Sequence, residues 1–358
     1  MKVLIVGFHP HGHVPYVANY ENAMKKDGID FDAVYWDRFE NRELEKCDNE
    51  YTIHIKCSLG GNRLKKIIPM LKYRNIVKDL INKYTYDKII VLSTLPAVLL
   101  KDILLDKYRD NYILDIRDYT YEKYSFYKNI VMKLISNSYF TGISSKGFLR
   151  FLDFHKKIVY THNITNENAE VTNCTAIDFT KKINIGFVGG VRYFNENSAL
   201  ISKLDHDKFI LSYIGYRHAD CNLEDYCKYK KIANVIFKGK FNNIDKPMIY
   251  KDIDIINSLY GDFSLEVTTA IPNRLYDALL YKKPILVSKG TYLSEVVEEK
   301  GIGLAIDVFN DDVNKLLIKY IESIDYEMFL IKCRSYIEEI KREQSHYLNK
   351  IDEFLYNK

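Results

Sequence analysis

What most constrains this chain is a rhythm of short apolar runs, rich in isoleucine and valine, with helical periodicity between them. In the first half the runs fall at 1–7, 31–36, 51–56, 88–93, 111–116, 139–143 and 157–161. They resume at 183–188, 208–214, 233–238, 252–258, 284–288 and 302–306. A strand covered on both faces reads as a continuous apolar run, not as an alternation. Such strands alternating with helices belong in parallel, doubly wound sheets. The expected fold class is α/β, with two doubly wound domains at 1–165 and 182–324. The polar, aperiodic stretch 166–181 reads as the linker, and 325–358 as amphipathic and helical. A length of 358 residues fits two cores better than one.

Charge excludes one class of partner. A formal net charge of +4 is too small for a dedicated nucleic-acid binder. The excess is local: residues 56–88 carry about nine basic and two acidic groups. Within them, 62–83 is a helical pattern interrupted at Pro69, with Leu64, Ile67, Ile68 and Leu71 on one face. Lys65, Lys66, Lys72 and Arg74 flank that face. It reads either as a surface helix packed by its stripe or as a dock for an anionic membrane. Six cysteines without a CxxC pair favour neither a disulfide framework nor structural zinc, and fit a reducing cytosol. The opening MKVLIVGFHPHGH is too short in apolar residues for a signal peptide, and no run is long enough to span a membrane. A cytoplasmic location, with the inner face of the cell membrane as the docking surface, follows. The sequons Asn163-Ile-Thr165 and Asn173-Cys-Thr175 are therefore not expected to be glycosylated.

In doubly wound sheets ligands gather outside the carboxyl ends of the strands. Several polar groups fall there. After the first run comes FHPHGHVPYV, with His9, His11 and His13 before a helix over 15–27. A GxGxxG loop is absent, so the loop suggests ligand contact but not a dinucleotide; acceptor contacts suit it better than a metal. Ser93-Thr94 and Asp115-Ile116-Arg117-Asp118 close two further strands. The latter is either a local Asp–Arg pair or a cleft-facing Arg117 or Asp118 handling a polar substrate. In the second half, Gly189-Gly190-Val191-Arg192 follows a strand and precedes a helix. Free N–H groups plus one strong cationic donor are the recipe for a diphosphate cradle. Lys238 and Lys240 follow a later strand and could add positive charge. Finally, 271–288 (IPNRLYDALLYKKPILVS) reads as loop, helix, turn and buried strand. It puts Asn273, Arg274 and Asp277 at a helix N-terminus, which favours anions. Arg274 could pair with phosphate, and Asp277 could accept from sugar hydroxyls.

These motifs together resemble one family. Two Rossmann-like domains, Gly189-Gly190-Val191-Arg192, PNRLYDAL (272–279) before a buried strand, and a weaker echo in LDIRDY (114–119) are similar to the GT-B glycosyltransferases. The type is the retaining glycosyltransferase family 4 of bacterial capsule, exopolysaccharide and O-antigen synthesis. The resemblance implies a GT-B fold, its two domains facing each other across a cleft. The first domain would bind the acceptor, with His9, His11, His13, Arg117 and Asp118 on that side. The second would bind a nucleotide-sugar donor, and the last helices would cross back onto the first. Gly189, Gly190 and Arg192 would lie against the diphosphate, Asn273 and Arg274 near it, and 236–240 and 252–259 near the nucleotide. Asp277 matches the second acidic residue of the family's glutamate pair, which holds the ribose. The first glutamate should stand at Thr269, and Glu266 is out of register. The lysine that usually follows the diphosphate arginine is missing from 194–197, with Lys240 as the substitute.

The expected activity is transfer of a sugar from a nucleoside diphosphate sugar to a lipid-linked or oligosaccharide acceptor in cell-surface polysaccharide synthesis. Arg192, Arg274 and helix N-terminal amides would stabilise the departing diphosphate. That chemistry calls for no metal or other cofactor. Asp252-Ile253-Asp254 has DxD spacing but begins a buried-looking strand. If the family mechanism holds, the sugar configuration is retained, with Asp118 or His11 orienting the acceptor hydroxyl. A nucleotide-sugar 2-epimerase and a non-catalytic glycosyltransferase-like partner subunit are the alternatives.

Overall fold

The computed structural model of the chain describes residues 1–358 except Glu43, 58–62, 165–175, Phe179, Asp262 and Lys358, and omits the side chains of Arg63 and Leu64. The expected linker and both sequons, with Cys174, fall largely outside the described residues. The chain divides into two compact units: Met1–His162 with Arg342–Lys358, and Asn163–Lys341.

The first unit is built on strands β1 (Lys2–Val6), β2 (Asp30–Asp37), β3 (Glu45–Cys47), β4 (Glu50–His54), β5 (Lys88–Leu92), β6 (Tyr112–Ile116), β7 (Phe140–Ile143) and β8 (Ile158–Tyr160). They form one sheet of order β3-β4-β2-β1-β5-β6-β7-β8. Every pair is parallel except β3–β4. The central strands β5 and β6 are buried along their whole length, as their unbroken apolar runs require. Strand β3 was not foreseen; its Glu-Lys-Cys is exposed throughout and carries no apolar signal. Helices α1 (Ala18–Lys26), α2 (Ile67–Lys83), α3 (Thr94–Leu99), α4 (Lys101–Leu105) and α5 (Ser125–Asn137) connect the strands. The segment expected as one helix over 15–27 is a short 3₁₀ turn, Pro15–Val17, followed by α1.

Helix α2 corrects the expected break at Pro69. The proline sits in its first turn, where an N–H has no intrahelical acceptor to lose. Its buried face is Tyr73, Val77, Leu80 and Ile81. Ile67, Ile68 and Leu71 are exposed, so they do not pack the helix down as the surface-helix reading required.

The second unit holds β9 (Ile183–Val188), β10 (Phe209–Ile214), β11 (Val235–Lys238), β12 (Ile255–Ser258), β13 (Ile285–Ser288) and β14 (Gly303–Ile306). Their order is β11-β10-β9-β12-β13-β14, and all pairs are parallel. The chain therefore reverses its direction of winding between β9 and β12, where such sheets open a crevice. Helices α6 (Phe194–Lys203), α7 (Leu223–Lys230), α8 (Lys246–Lys251), α9 (Leu265–Thr269), α10 (Asn273–Leu280), α11 (Tyr292–Lys300) and α12 (Val313–Ser323) complete the unit. Two apolar clusters cover the sheet.

The last helix, α13 (Tyr326–Tyr356), is 31 residues long. Phe329, Cys333 and Ile340 pack in the second unit's core. Tyr347, Ile351, Phe354 and Leu355 pack in the first unit's core. Each such buried side chain contributes roughly 1.5–3 kcal/mol. A polar network fixes this part of the helix. On β6, Asp115 is fully buried, and Arg117 closes on it with Nε at 2.7 Å and Nη2 at 3.0 Å. Tyr20 and Tyr347 donate to the same carboxylate at 2.8 and 2.9 Å. Burial disfavours the charged guanidinium, but the Asp115 charge outweighs this and raises its pKa. Gly142 on β7 leaves room for the ring, since a Cβ there would lie 2.8 Å from Tyr347. Lys88 caps the far end of α13, donating to the Phe354 and Asn357 carbonyls, where the helix dipole favours a cation.

This geometry predicts a stability effect. Arg117→Leu leaves Asp115 buried without its counter-charge and should cost about 3–5 kcal/mol, read by urea denaturation. Tyr347→Phe should cost about 1–2 kcal/mol by the same measure, because it removes one hydroxyl and keeps the ring.

Candidate functional site

At the carboxyl edge of the second sheet, β9 runs into Gly189 and β10 into Gly215. Both take positive φ, +131° and +142°. The two turns touch: a Cβ on Gly215 would lie 1.8 Å from the Gly189 carbonyl oxygen. A side chain at 215 would block that approach, while at 189 it is the positive φ that favours glycine. The chain then passes Gly190, which lies against the Tyr216 ring, to an exposed Arg192 and a left-handed Tyr193 that starts α6.

Across the crevice, α10 begins at Asn273 after an extended Pro272, with no side-chain cap on its first N–H groups. Arg274 is 6% exposed. Its guanidinium lies 3.9 Å from the Phe187 ring centre on β9 and 5.0 Å from that of Tyr260, and Nε donates to Ser258 on β12 at 3.2 Å. It thus sits where the strand order reverses. The Tyr260 ring is 4.9 Å from that of Tyr193, which in turn stands 5.4 Å from the Arg192 guanidinium. An aromatic pair therefore carries an arginine on each side. Neither arginine has an ion-pair partner among the described residues.

The other expected residues of this unit fall differently. Asp277 is buried, and its carboxylate already accepts from Lys246 at 3.0 and 3.1 Å and from Tyr250 at 2.8 Å. Burial, then Asp277, push the Tyr250 pKa up. Asp277 is thus held by a cation and a phenol, and Lys246 is the residue the sequence reading missed. It lies in the first turn of a short helix, a position without any motif. Asn273 is exposed and accepts from Asn163 at 3.2 Å. Lys240 is exposed just beyond β11, the sheet's edge strand, with β10 between it and β9. Thr269 is buried and its hydroxyl bonds back to the Leu265 carbonyl at 2.5 Å. Asp252 caps the C-terminus of α8 and Asp254 accepts from the Asn184 N–H, so neither starts β12.

A cavity of about 210 Å³ shares Tyr260 with the arginine pair. Glu196, Phe263, Ser288, Gly290 and Phe309 also line it. Glu196 is 8% exposed and makes no hydrogen bond to a described residue. A larger hollow of about 430 Å³ lies between α7 and the amino end of β11, away from these strand ends, and brings no such chemistry together.

In the first unit, His9 and His13 are exposed. His11 stacks on Tyr35 at 5.3 Å and lies 3.3 Å from Glu21 and 3.5 Å from Glu50. Among the described residues no group of three His, Cys, Asp or Glu side chains could hold a metal ion. Of the two readings of this segment, Arg117 takes the local Asp–Arg pair: it is buried against Asp115 and is not the substrate-facing charge of the other reading. Asp118 beside it is exposed. Thr94 donates to the buried Glu122 at 2.7 Å, a contact whose partners are too far apart in sequence to be read from it.

No protein-family profile matches the chain. No curated protein matches it either. Solved structures do. The galactosyltransferase WaaB of the lipopolysaccharide outer core, in its apo form, superposes with a TM-score of 0.68 at 12% identity, covering 99% of each chain. Sucrose-phosphate synthase from Thermosynechococcus elongatus gives 0.67 at 13%, over 96% of this chain and 94% of that one. HepE from Anabaena, in complex with UDP, gives 0.65 at 13%, over 98% and 99%. The chain thus has the fold of the GT-B glycosyltransferases along nearly its whole length.

Gly215→Ala should disturb the paired turns. We expect a loss of about 1–3 kcal/mol in chemical denaturation, from the strained φ and the collision with Gly189.

Proposed function

We propose that the chain is a glycosyltransferase. It moves a sugar from a nucleoside diphosphate sugar to a lipid-linked or oligosaccharide acceptor in cell-surface polysaccharide synthesis, with retention of configuration. The observation that carries this reading is the arginine pair. Arg192 and Arg274 flank Tyr193 and Tyr260 beside a glycine turn and the uncapped start of α10, and no described carboxylate neutralises either one. Two cationic donors with free backbone amides suit a diphosphate leaving group, whose charge grows as the glycosidic bond breaks. Support comes from HepE, of which structures with UDP, with UDP and glucose, and with UDP-glucose share this fold.

The residues divide the work as follows. Gly189 and Gly190 let the backbone approach the diphosphate. Arg192 and Arg274 bind its oxygens. Asn273 lies at the same helix start. Asp277 keeps Lys246 near the nucleotide and shares its carboxylate with the ribose. Lys240 contributes longer-range positive potential. The cavity beside Tyr260 takes the sugar. His9, His11, His13 and Asp118 are assigned to the acceptor, with Asp118 or His11 orienting its hydroxyl. The exposed Ile67, Ile68 and Leu71 with Lys65 and Lys72 suit contact with an anionic bilayer at the cytoplasmic face. No described helix is long and apolar enough to cross a membrane.

Arg192→Ala should lower turnover about a hundredfold or more with the fold intact, followed as release of nucleoside diphosphate; full activity would overturn the assignment. A thermal-shift panel of uridine, guanosine and thymidine diphosphates should raise the melting temperature with at least one of them. No response to any would favour a non-catalytic partner subunit. In flotation, vesicles with anionic lipid should carry the protein up, and Ile68→Asp should weaken this.

A further inference from the structure

Arg38 follows the last residue of β2, and Phe8 follows β1 by two residues, so both stand at the carboxyl ends of neighbouring parallel strands. The Arg38 guanidinium lies 4.2 Å from the Phe8 ring centre and 5.0 Å from that of Trp36. Beneath it the rings lock together. Phe8 meets Trp36 edge-on at 4.7 Å and Tyr73 at 5.4 Å, while Trp36 stacks on Tyr73 at 5.1 Å. Tyr73 donates to the Gly7 carbonyl at 2.7 Å and Trp36 to the Ile55 carbonyl at 2.9 Å. The floor under the cation is therefore rigid.

The cation itself is under-used. Its Nη2 donates to the Phe8 carbonyl at 3.2 Å, and its Nε is buried without a hydrogen-bond partner. No carboxylate pairs with it among the described residues. Burial lowers its pKa, and the titratable Cys57, Tyr73 and Tyr121 oppose this. His9 is also close: burial, then the Arg38 charge, lower the His9 pKa. A partly desolvated guanidinium normally finds an anion, and aromatic faces compensate only part of its lost hydration. Arg38 is half-buried, whereas the two fully buried arginines each have a hydrogen-bond acceptor on a side chain: Arg117 has Asp115, and Arg274 has Ser258.

We propose that Arg38, held on the Phe8–Trp36–Tyr73 platform, is a binding site for a phosphate ester. Nη1, which bonds to no described residue, would supply the first contact. Phosphate fits better than carboxylate because the chain following Cys57 is strongly basic, with Arg63, Lys65 and Lys66 close in sequence. That this phosphate belongs to the acceptor rests on the transferase reading; the site itself does not. The anion would be either a sugar phosphate in solution or the phosphate of a lipid carrier.

Trp36 is the chain's single tryptophan, so its emission reports on this site alone. The full chain is titrated with glucose 1-phosphate and, separately, with farnesyl phosphate, with acetate as the carboxylate control. A saturable change in tryptophan emission with a phosphate ester, weakened about tenfold or more in Arg38→Gln, supports the site. The ester that binds more tightly identifies the source. No saturable change, or undiminished affinity in Arg38→Gln, overturns it; if circular dichroism shows that variant unfolded, Arg38→Lys serves in its place. Sugar transfer is not needed for this readout. A chain that binds phosphate here but transfers no sugar loses the transferase reading and keeps the site.

Discussion

A carboxylate buried in the middle of a parallel sheet has to be answered by other buried groups, and Asp115 sets that requirement here. Arg117 lies two residues further along, directly after the last residue of β6, and its side chain turns back onto Asp115. Tyr20 comes from α1 and Tyr347 from α13, and Gly142 yields the volume that the second tyrosine needs. The last turns of α13 thereby become part of the first unit's core, although more than 200 residues of chain separate them from β6. Lys88 reinforces the arrangement by holding the carbonyl end of that helix. A buried ion pair of this kind is costly to break but adds little by itself, so its main consequence is a fixed position for α13.

The same residue type plays opposite parts elsewhere. Arg117, just past β6, is neutralised by a carboxylate on that strand, while Arg192, Arg274 and Arg38 lie on or beside aromatic rings without one among the described residues. A guanidinium over a ring face keeps its planar fork available for an incoming anion. All three stand at strand carboxyl ends, where the fold gathers loops and helix starts. This distribution of cations without a carboxylate partner among the described residues, more than any single motif, is what the anion-site proposals rest on.

Much of the architecture was legible because burial on both faces writes itself as uninterrupted apolar runs. The glycine turn before Arg192 and the PNRLYDAL helix were legible for a similar reason: backbone demands at those points leave few residue choices. Partnership was not legible. Asp277 reads as an acceptor for sugar hydroxyls, but nothing near it in sequence shows that Lys246 and Tyr250 reach it from a different helix. For Arg117 the sequence left a local pair with Asp115 and a substrate-facing charge both open, and the packing has the pair. Arg38 drew no attention, because nothing near it in sequence shows that rings will lie beneath it and no carboxylate beside it.

The sequence by itself determined which apolar segments become strands, where each unit begins its sheet, and which strand ends carry polar groups, since these follow from local periodicity and backbone sterics. Only the tertiary structure decided which charges are paired and which remain open. That depends on which strands become neighbours and which helices cover them, and so on contacts between residues far apart along the chain. Arg117 and Arg274 show the difference: one follows a strand and the other opens a helix by rules the sequence states, but only the packing around them pairs one with a carboxylate and sets the other on an aromatic ring.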